Sequence, residues 1–196
     1  MKKSEPISLE IDLVNGIMHG YTKKYEIKLS ELKEYVYDVE EINKLINEKG
    51  DYTVYEVYEL TRPSIEYEMI LGITRIFPGT IGREYHFTRG HYHVNKSASE
   101  IYIGIRGVGL VLMQNIHGDF YVKPLERGTV VYIPGTYAHR VVNISNDYLV
   151  FFYVYPATAG HDYETIRVCG FKKIVLNYEG GYKLIDNLRY EKCKTL

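Results

Sequence analysis

Turn-forming residues cut this chain into short pieces, at Asn15-Gly16, Pro78-Gly79, His117-Gly118-Asp119, Glu126-Arg127-Gly128 and Glu179-Gly180-Gly181. The pieces between them are dense in valine, isoleucine and tyrosine, with 21 tyrosines and no tryptophan among 196 residues. Aromatic and β-branched side chains fit a pleated surface, and glycine with asparagine, aspartate or proline supplies the turns. The pattern predicts strands at Ile7–Leu13, Thr53–Leu60, Glu68–Phe77, Glu84–His93, Glu100–Gln114 and Phe120–Pro124. It continues with Thr129–Pro134, His139–Ile144, Leu149–Tyr155, Lys173–Asn177 and Tyr182–Asp186. Many short strands with regular turns indicate an all-β barrel or sandwich.

One segment departs from this pattern. Asp38 is placed to cap a helix over Val39–Lys49, with Glu41 completing a capping box and Gly50 at the C-terminal stop. Val39, Ile42, Leu45 and Ile46 form its apolar stripe. Leu29–Tyr35 and Glu164–Val168 suggest further short helical turns. No repeat or linker divides the chain, so a single domain over residues 1–196 is expected.

A formal charge of -1 argues against non-specific binding to nucleic acid or an anionic membrane. The strongest apolar run, Tyr148 to Tyr155, stops at Pro156 and is too short to span a bilayer. Ser4-Glu5-Pro6 follows Met1-Lys2-Lys3 where a signal peptide would be apolar. Two cysteines, Cys169 and Cys193, make neither a disulfide framework nor a zinc motif. They carry no role in this reading, and a reducing cytoplasmic setting is expected.

The chemistry concentrates in His91, His93, Glu100 and His139. Two histidines two apart leave the same face of a strand. Glu100 opens the apolar run Ile101–Ile105 after a polar bend, so its carboxylate should be buried. A buried carboxylate requires a compensating charge, and a cation supplies one. Three imidazoles and one carboxylate can close around a single divalent metal. His19, His86 and His117 read as structural or exposed.

These residues carry a resemblance. The pattern His91-x-His93…Glu100…Gly107, then Gly128…Pro134…His139…Asn143, resembles the two motifs of the cupin superfamily. Gly82 lies too early for the first motif, and Thr136 stands where the second has glycine; neither position is a ligand. A narrower resemblance lies in Val54-Tyr55-Glu56-Val57-Tyr58, Phe77-Pro78-Gly79, Phe87-Thr88-Arg89-Gly90-His91-Tyr92-His93, Gly128-Thr129-Val130-Val131-Tyr132-Ile133-Pro134 and Tyr155-Pro156-Ala157-Thr158-Ala159-Gly160-His161-Asp162-Tyr163. These stretches are similar to the cupin-type phosphoglucose isomerases best known from archaea.

The resemblance implies a cupin double-stranded β-helix, a small jelly-roll-like barrel with a few peripheral helices and its metal-binding core at about residues 68–158. It implies interconversion of glucose 6-phosphate and fructose 6-phosphate through a cis-enediol. One divalent ion per subunit is implied at His91, His93, Glu100 and His139, with Fe(II) first and Mn, Ni, Co or Zn also compatible with the donors. Such an ion would stabilise the enediolate as a Lewis acid. Thr74, Thr88 and Gly90 would hold the phosphate with Tyr55 nearby, and Tyr102 and Tyr163 would contact the sugar. Glu100 would move the proton, with His161 and Tyr155 opening the ring or orienting hydroxyl groups. Thr88 and Gly90 share a strand phase opposite to His91 and His93, which a bulge at Gly90 would reconcile. Arg89 is the cation of that stretch, contacting the phosphate or facing solvent.

Two other classes use the same donors: an Fe(II) dioxygenase, and a non-catalytic sugar-binding cupin. A hydride shift rivals the enediol, and mannose 6-phosphate differs only at C2. A homodimer is expected, since unpaired barrel edges need cover.

Overall fold

The computed structural model describes residues 5–63, 65–66 and 68–193. Its centre is a six-stranded antiparallel sheet, in spatial order Val130–Ile133, Glu100–Arg106, Leu149–Pro156, Met69–Ile76, Thr53–Leu60 and Lys23–Lys28. A three-stranded sheet of Phe120–Glu126, Val108–Gln114 and Ala138–Asn143 faces it. Inward residues of both sheets join one core: Tyr55, Ile76, Tyr102, Phe151 and Tyr153 from the first, Val111, Met113 and Val141 from the second. The fold is all-β, of the class expected, with three short helices: α1 (Val39–Lys49), α2 (Glu164–Cys169) and α3 (Leu188–Cys193).

The barrel closes where single runs of chain pass from one sheet to the other. Glu100–Gln114, expected as one strand, is two, broken at Gly107. Gly107 has φ +78°, and a Cβ there would stand 2.3 Å from the Tyr148 carbonyl oxygen, so the corner requires glycine. Glu84–His93 is likewise not one strand. It runs as Glu84–Tyr85, bridges Phe87 to Val142 and His91 to His139, and ends as Tyr92–His93. Phe87, Phe151 and Phe171 are fully buried, and each contributes roughly 2–3 kcal/mol by leaving water. Pro124, which cannot donate to a ladder, lies on an edge strand.

On the outer face of the six-stranded sheet, Tyr58, Leu60, Ile73 and Val150 pack with Met18 in a second, smaller core. The hairpin Glu10–Asp12/Ile17–His19 brings Met18 there. The expected strand Ile7–Leu13 is thus only three residues long. Besides the two-residue pieces Thr80–Ile81 and His161–Asp162, two strands were not read from the sequence, Ile17–His19 and Lys23–Lys28. The latter, Lys-Lys-Tyr-Glu-Ile-Lys, looks polar because an edge strand carries charge on its solvent side. Lys173–Tyr178 and Gly181–Asp186 form a hairpin in a four-stranded sheet completed by Glu84–Tyr85 and Thr80–Ile81.

Helix α1 forms where its cap predicts. The Asp38 carboxylate accepts from the Glu40 and Glu41 N–H groups, and Gly50 ends the helix at φ +79°. The reciprocal half of the capping box, Glu41 back to Asp38, does not form among the described residues. Ile42 is fully buried, with Leu45 and Ile46 packed on the core, whereas Val39 is exposed. The turn after Lys28 is a 3-10 helix, Leu29–Leu32, with buried Leu29 and Leu32.

The cysteines do not stand free as expected. Cys169 and Cys193 form a disulfide that ties α3 to α2.

His86 is structural. It is buried, its Nδ1–H donates to the Phe77 carbonyl (3.0 Å), and the Tyr52 hydroxyl meets its Nε2 (3.3 Å). Burial pulls its pKa down from the usual 6.5 to about 4. The unfolded chain therefore binds a proton near pH 6.5 that the folded protein refuses until about pH 4, and stability falls as pH drops through that window. The full difference amounts to about 3 kcal/mol. Urea unfolding of wild type and His86→Gln at pH 7 and pH 4.5 should show the acid-side loss shrinking in the variant.

Candidate metal centre and cavity

Three separate pieces of chain deliver the four candidate ligands. His91 and His139 face each other across a bridge with reciprocal backbone bonds of 3.2 and 3.1 Å. His93 ends the short strand Tyr92–His93, paired with His161–Asp162. Glu100 opens the strand Glu100–Arg106 and pairs with Ile133. One donor atom from each of His91, His93, Glu100 and His139 lies within 4.8 Å of the others.

The hydrogen bonds around these donors decide whether a metal fits. His93 Nδ1–H donates to the Ala98 carbonyl (2.6 Å), and His139 Nδ1–H to the Tyr137 carbonyl (3.3 Å). That tautomer leaves each Nε2 as a bare lone pair. Both lone pairs nevertheless face Glu100 Oε2, at 3.2 and 2.9 Å. Contacts so close need a positive charge between them, either a proton on Nε2 or a metal ion in its place. The Nε2 of His91 is also buried without a partner. A cluster of three imidazole lone pairs and one carboxylate is the donor set of a divalent transition metal, with carbonyls fixing the rings from behind.

The electrostatics agree. Burial, aided by His139, His161 and His93, drives His91 well below its ordinary pKa, which keeps its lone pair free. Burial alone would raise Glu100. With no metal bound, protons on the rings supply the positive charge instead: charge and donation from His139 and His93 outweigh burial and hold the Glu100 carboxyl at about 2, while Glu100 in turn, against burial, raises His93. Glu100 is therefore ionised at neutral pH.

Three of the four, His91, Glu100 and His139, line a cavity of about 570 Å³ inside the barrel. Every residue expected at a substrate or catalytic position lines it: Tyr55, Thr74, Thr88, Gly90, Tyr102, Tyr155, His161 and Tyr163, with Glu100. The phase conflict is resolved at Gly90, whose φ of +73° turns the chain so that Thr88, Gly90 and His91 share the cavity. Thr74 reaches the inner face opposite Phe151 and Val57. The His161 ring lies 4.3 Å from that of His91 and stacks with Tyr163 at 5.6 Å. Burial lowers His161 to about 4, so its imidazole is neutral at pH 7. Burial raises the phenols of Tyr55, Tyr102, Tyr155 and Tyr163, which therefore act as neutral hydrogen-bonding groups rather than bases.

Some cavity residues were not read from the sequence. Glu59 accepts from the hydroxyls of Tyr153 (3.0 Å) and Tyr155 (3.2 Å). Its signal was available: Glu59 shares the strand phase of Tyr55, whereas Glu56 points to the opposite face, where it meets Arg75 and Lys24. Lys23, Tyr25, Arg62 and Tyr153 complete the same end. Arg89 also lines the cavity; its Nη2 pairs with Glu31 at 2.6 Å and its buried Nε has no partner.

A protein-family model described as glucose-6-phosphate isomerase (GPI) matches residues 26–190. A relative of that name from Thermococcus kodakarensis is 42% identical over 97% of this chain and 100% of its own. One from Pyrococcus furiosus is 40% identical over 96% of this chain and 98% of its own. A bacterial relative of the same name, from Sinorhizobium medicae, is 35% identical over 97% of this chain and 90% of its own. Among solved structures, an oxalate oxidase bound to glycolate aligns over 60% of this chain and 58% of its own, at 16% identity and TM-score 0.49.

Proposed function

Because this chain belongs to the glucose-6-phosphate isomerase family, we propose that it interconverts glucose 6-phosphate and fructose 6-phosphate in the barrel cavity. One observation carries this reading: a single cavity is lined both by His91, Glu100 and His139 of the four-residue cluster and by Thr74, Thr88 and Gly90. An open-chain hexose phosphate carries its reacting C1 and C2 at one end and its phosphate at the other, so one molecule can engage both groups of residues.

A divalent ion held by the four ligands, Fe(II) by first preference, supplies Lewis-acid polarisation of the C1 and C2 oxygens. The rest is done by the chain. Glu100 takes the proton from C2 of the aldose and returns it to C1, leaving a cis-enediol between the two transfers. Its Oε2 is engaged by the two imidazoles, while Oε1 accepts no hydrogen bond from the described residues and is available to the substrate. Neutral His161 accepts the ring hydroxyl proton during opening, and the Tyr155 hydroxyl orients the sugar oxygens. Tyr102, packed against His139 and Phe151, and Tyr163 flank the chain of the sugar. Thr88 Oγ1 already accepts from the Val141 N–H, so its own hydrogen is directed to an acceptor such as phosphate. The other cavity wall brings Thr74 to the same group.

Isomerisation of fructose 6-phosphate in D2O tests the proton route. Transfer by Glu100 should place solvent deuterium at C2 of the glucose 6-phosphate in a measurable fraction of turnovers. Complete retention of the substrate hydrogen would favour an internal hydride shift instead.

The outward residues Ile101, Ile103, Val130 and Tyr132 lie side by side on one edge of the six-stranded sheet and are exposed. Covering them with a second copy gives a homodimer. No helix among the described residues is long and apolar enough to cross a membrane. A cytoplasmic location follows from the substrate, a doubly charged phosphate ester that does not cross membranes unaided.

A further inference from the structure

Arg140 is the most deeply buried charge not yet given a role. It lies on Ala138–Asn143, is 4% exposed, and makes no ion pair within 4 Å among the described residues, although the buried Glu84 carboxylate acts on its charge from farther off. Its guanidinium sits between two rings, 4.2 Å from the centre of Phe87 and 4.7 Å from that of Phe171. A cation this buried is costly unless it is held by hydrogen bonds. Two of its donors, Nε at 3.3 Å and Nη2 at 2.8 Å, go to one acceptor, the carbonyl oxygen of Arg89.

That carbonyl belongs to the Arg89–Gly90 peptide. No peptide bond in the described chain is cis, so the C=O and N–H of this unit point in opposite directions. Arg140 does not line the cavity, whereas Gly90 does. Gly90 is a buried residue, and its N–H donates to no described group. An unpaired buried N–H is rare and costs stability unless a ligand takes it up. Gly90 is also tightly enclosed, since a Cβ would stand 2.6 Å from Phe171 Cε2 and 2.8 Å from the His139 carbonyl oxygen. The peptide thus cannot readily tilt.

We propose that Arg140 is the positioning residue of the phosphate subsite: by clamping the Arg89 carbonyl from behind, it aims the Gly90 N–H into the cavity as a phosphate donor. Two donors on one carbonyl polarise the peptide and strengthen the N–H on its other side. The positive charge of the guanidinium, screened from solvent by Phe87 and Phe171, favours an anion beyond the peptide. Arg140 touches neither the sugar nor the reacting carbons. This rests on the placing of phosphate at Thr74, Thr88 and Gly90.

The test compares ligands that differ by the phosphate alone. Inhibition constants for 6-phosphogluconate, gluconate and inorganic phosphate are measured on the metal-loaded full chain of wild type, Arg140→Met, Arg140→Lys and Thr88→Val, with metal content checked in each. Arg140→Met should weaken 6-phosphogluconate and inorganic phosphate at least tenfold and leave gluconate within twofold, with KM rising while kcat is nearly kept. Arg140→Lys should recover part of the loss. Equal weakening of gluconate would overturn the proposal, because a general disturbance would then explain the effect. If Thr88→Val weakens phosphate and Arg140→Met does not, the positioning role fails and the phosphate placement stands. If neither variant affects phosphate, the placement itself fails and this role with it. A measurement on the unaltered sequence guards against a variant that does not fold: in the zinc-loaded protein, the Gly90 amide proton should move downfield on saturation with inorganic phosphate. A resonance that stays in place contradicts the proposal.

Discussion

Glu100→Gln is expected to lower kcat by about 10²–10⁴-fold, the contribution of a positioned general base, while part of the metal-binding capacity survives. Glutamine keeps the length and planarity of glutamate and removes only the charge and the basic oxygen. Its amide N–H groups can donate to the bare Nε2 atoms of His93 and His139, which face the Glu100 carboxylate at 3.2 and 2.9 Å. The metal-free variant should accordingly melt no lower than metal-free wild type. Steady-state kinetics, metal analysis and a thermal melt of the same preparation separate these effects. A fully active Glu100→Gln enzyme would remove Glu100 from the proton route.

His91→Ala is expected to separate metal binding from folding. Its Nε2 is buried without a partner, so the imidazole contributes little to the stability of the metal-free protein. The metal-free variant should melt close to wild type. In wild type, saturating metal raises stability by about 3–4 kcal/mol when its concentration is 100–1,000 times Kd. In His91→Ala that gain should disappear at the same concentration, and activity with it. His93→Ala is the instructive contrast. It removes the donor to the Ala98 carbonyl as well as a ligand, and should destabilise even the metal-free chain. If His91→Ala retained the full metal-dependent rise in melting temperature, the ligand set would be wrong.

The convergence of His91, His93, Glu100 and His139 was legible because strand geometry permits those intervals to meet. His91 and His93 announce themselves by spacing, and Glu100 by standing at the head of an apolar strand. The barrel class was legible for a similar reason, since Val, Ile and Tyr between glycine turns admit little else. What the chain concealed depends on three-dimensional closure. Gly107 looks like any glycine in a β run, and only the passage of Tyr148 beside it shows a corner between sheets. Lys23–Lys28 is an edge strand whose Tyr25 and Ile27 face the cavity, but four charged neighbours mask the alternation. Arg140 follows His139 of the cluster in sequence, yet its partner is a carbonyl 51 positions away. The Cys169–Cys193 disulfide joins the short helix expected at Glu164–Val168 to α3, which no cap or apolar stripe announces in the sequence. Glu59 was within reach, by the same inward phase that singles out Tyr55.

The central claim is that the four-residue cluster holds a metal required for sugar-phosphate isomerisation. Turnover of fructose 6-phosphate, followed by appearance of glucose 6-phosphate before and after chelation, tests it most directly. The expected result is activity that vanishes with the metal and returns on adding Fe(II), Mn(II) or Ni(II). Undiminished turnover in protein shown by elemental analysis to be free of metal would contradict it.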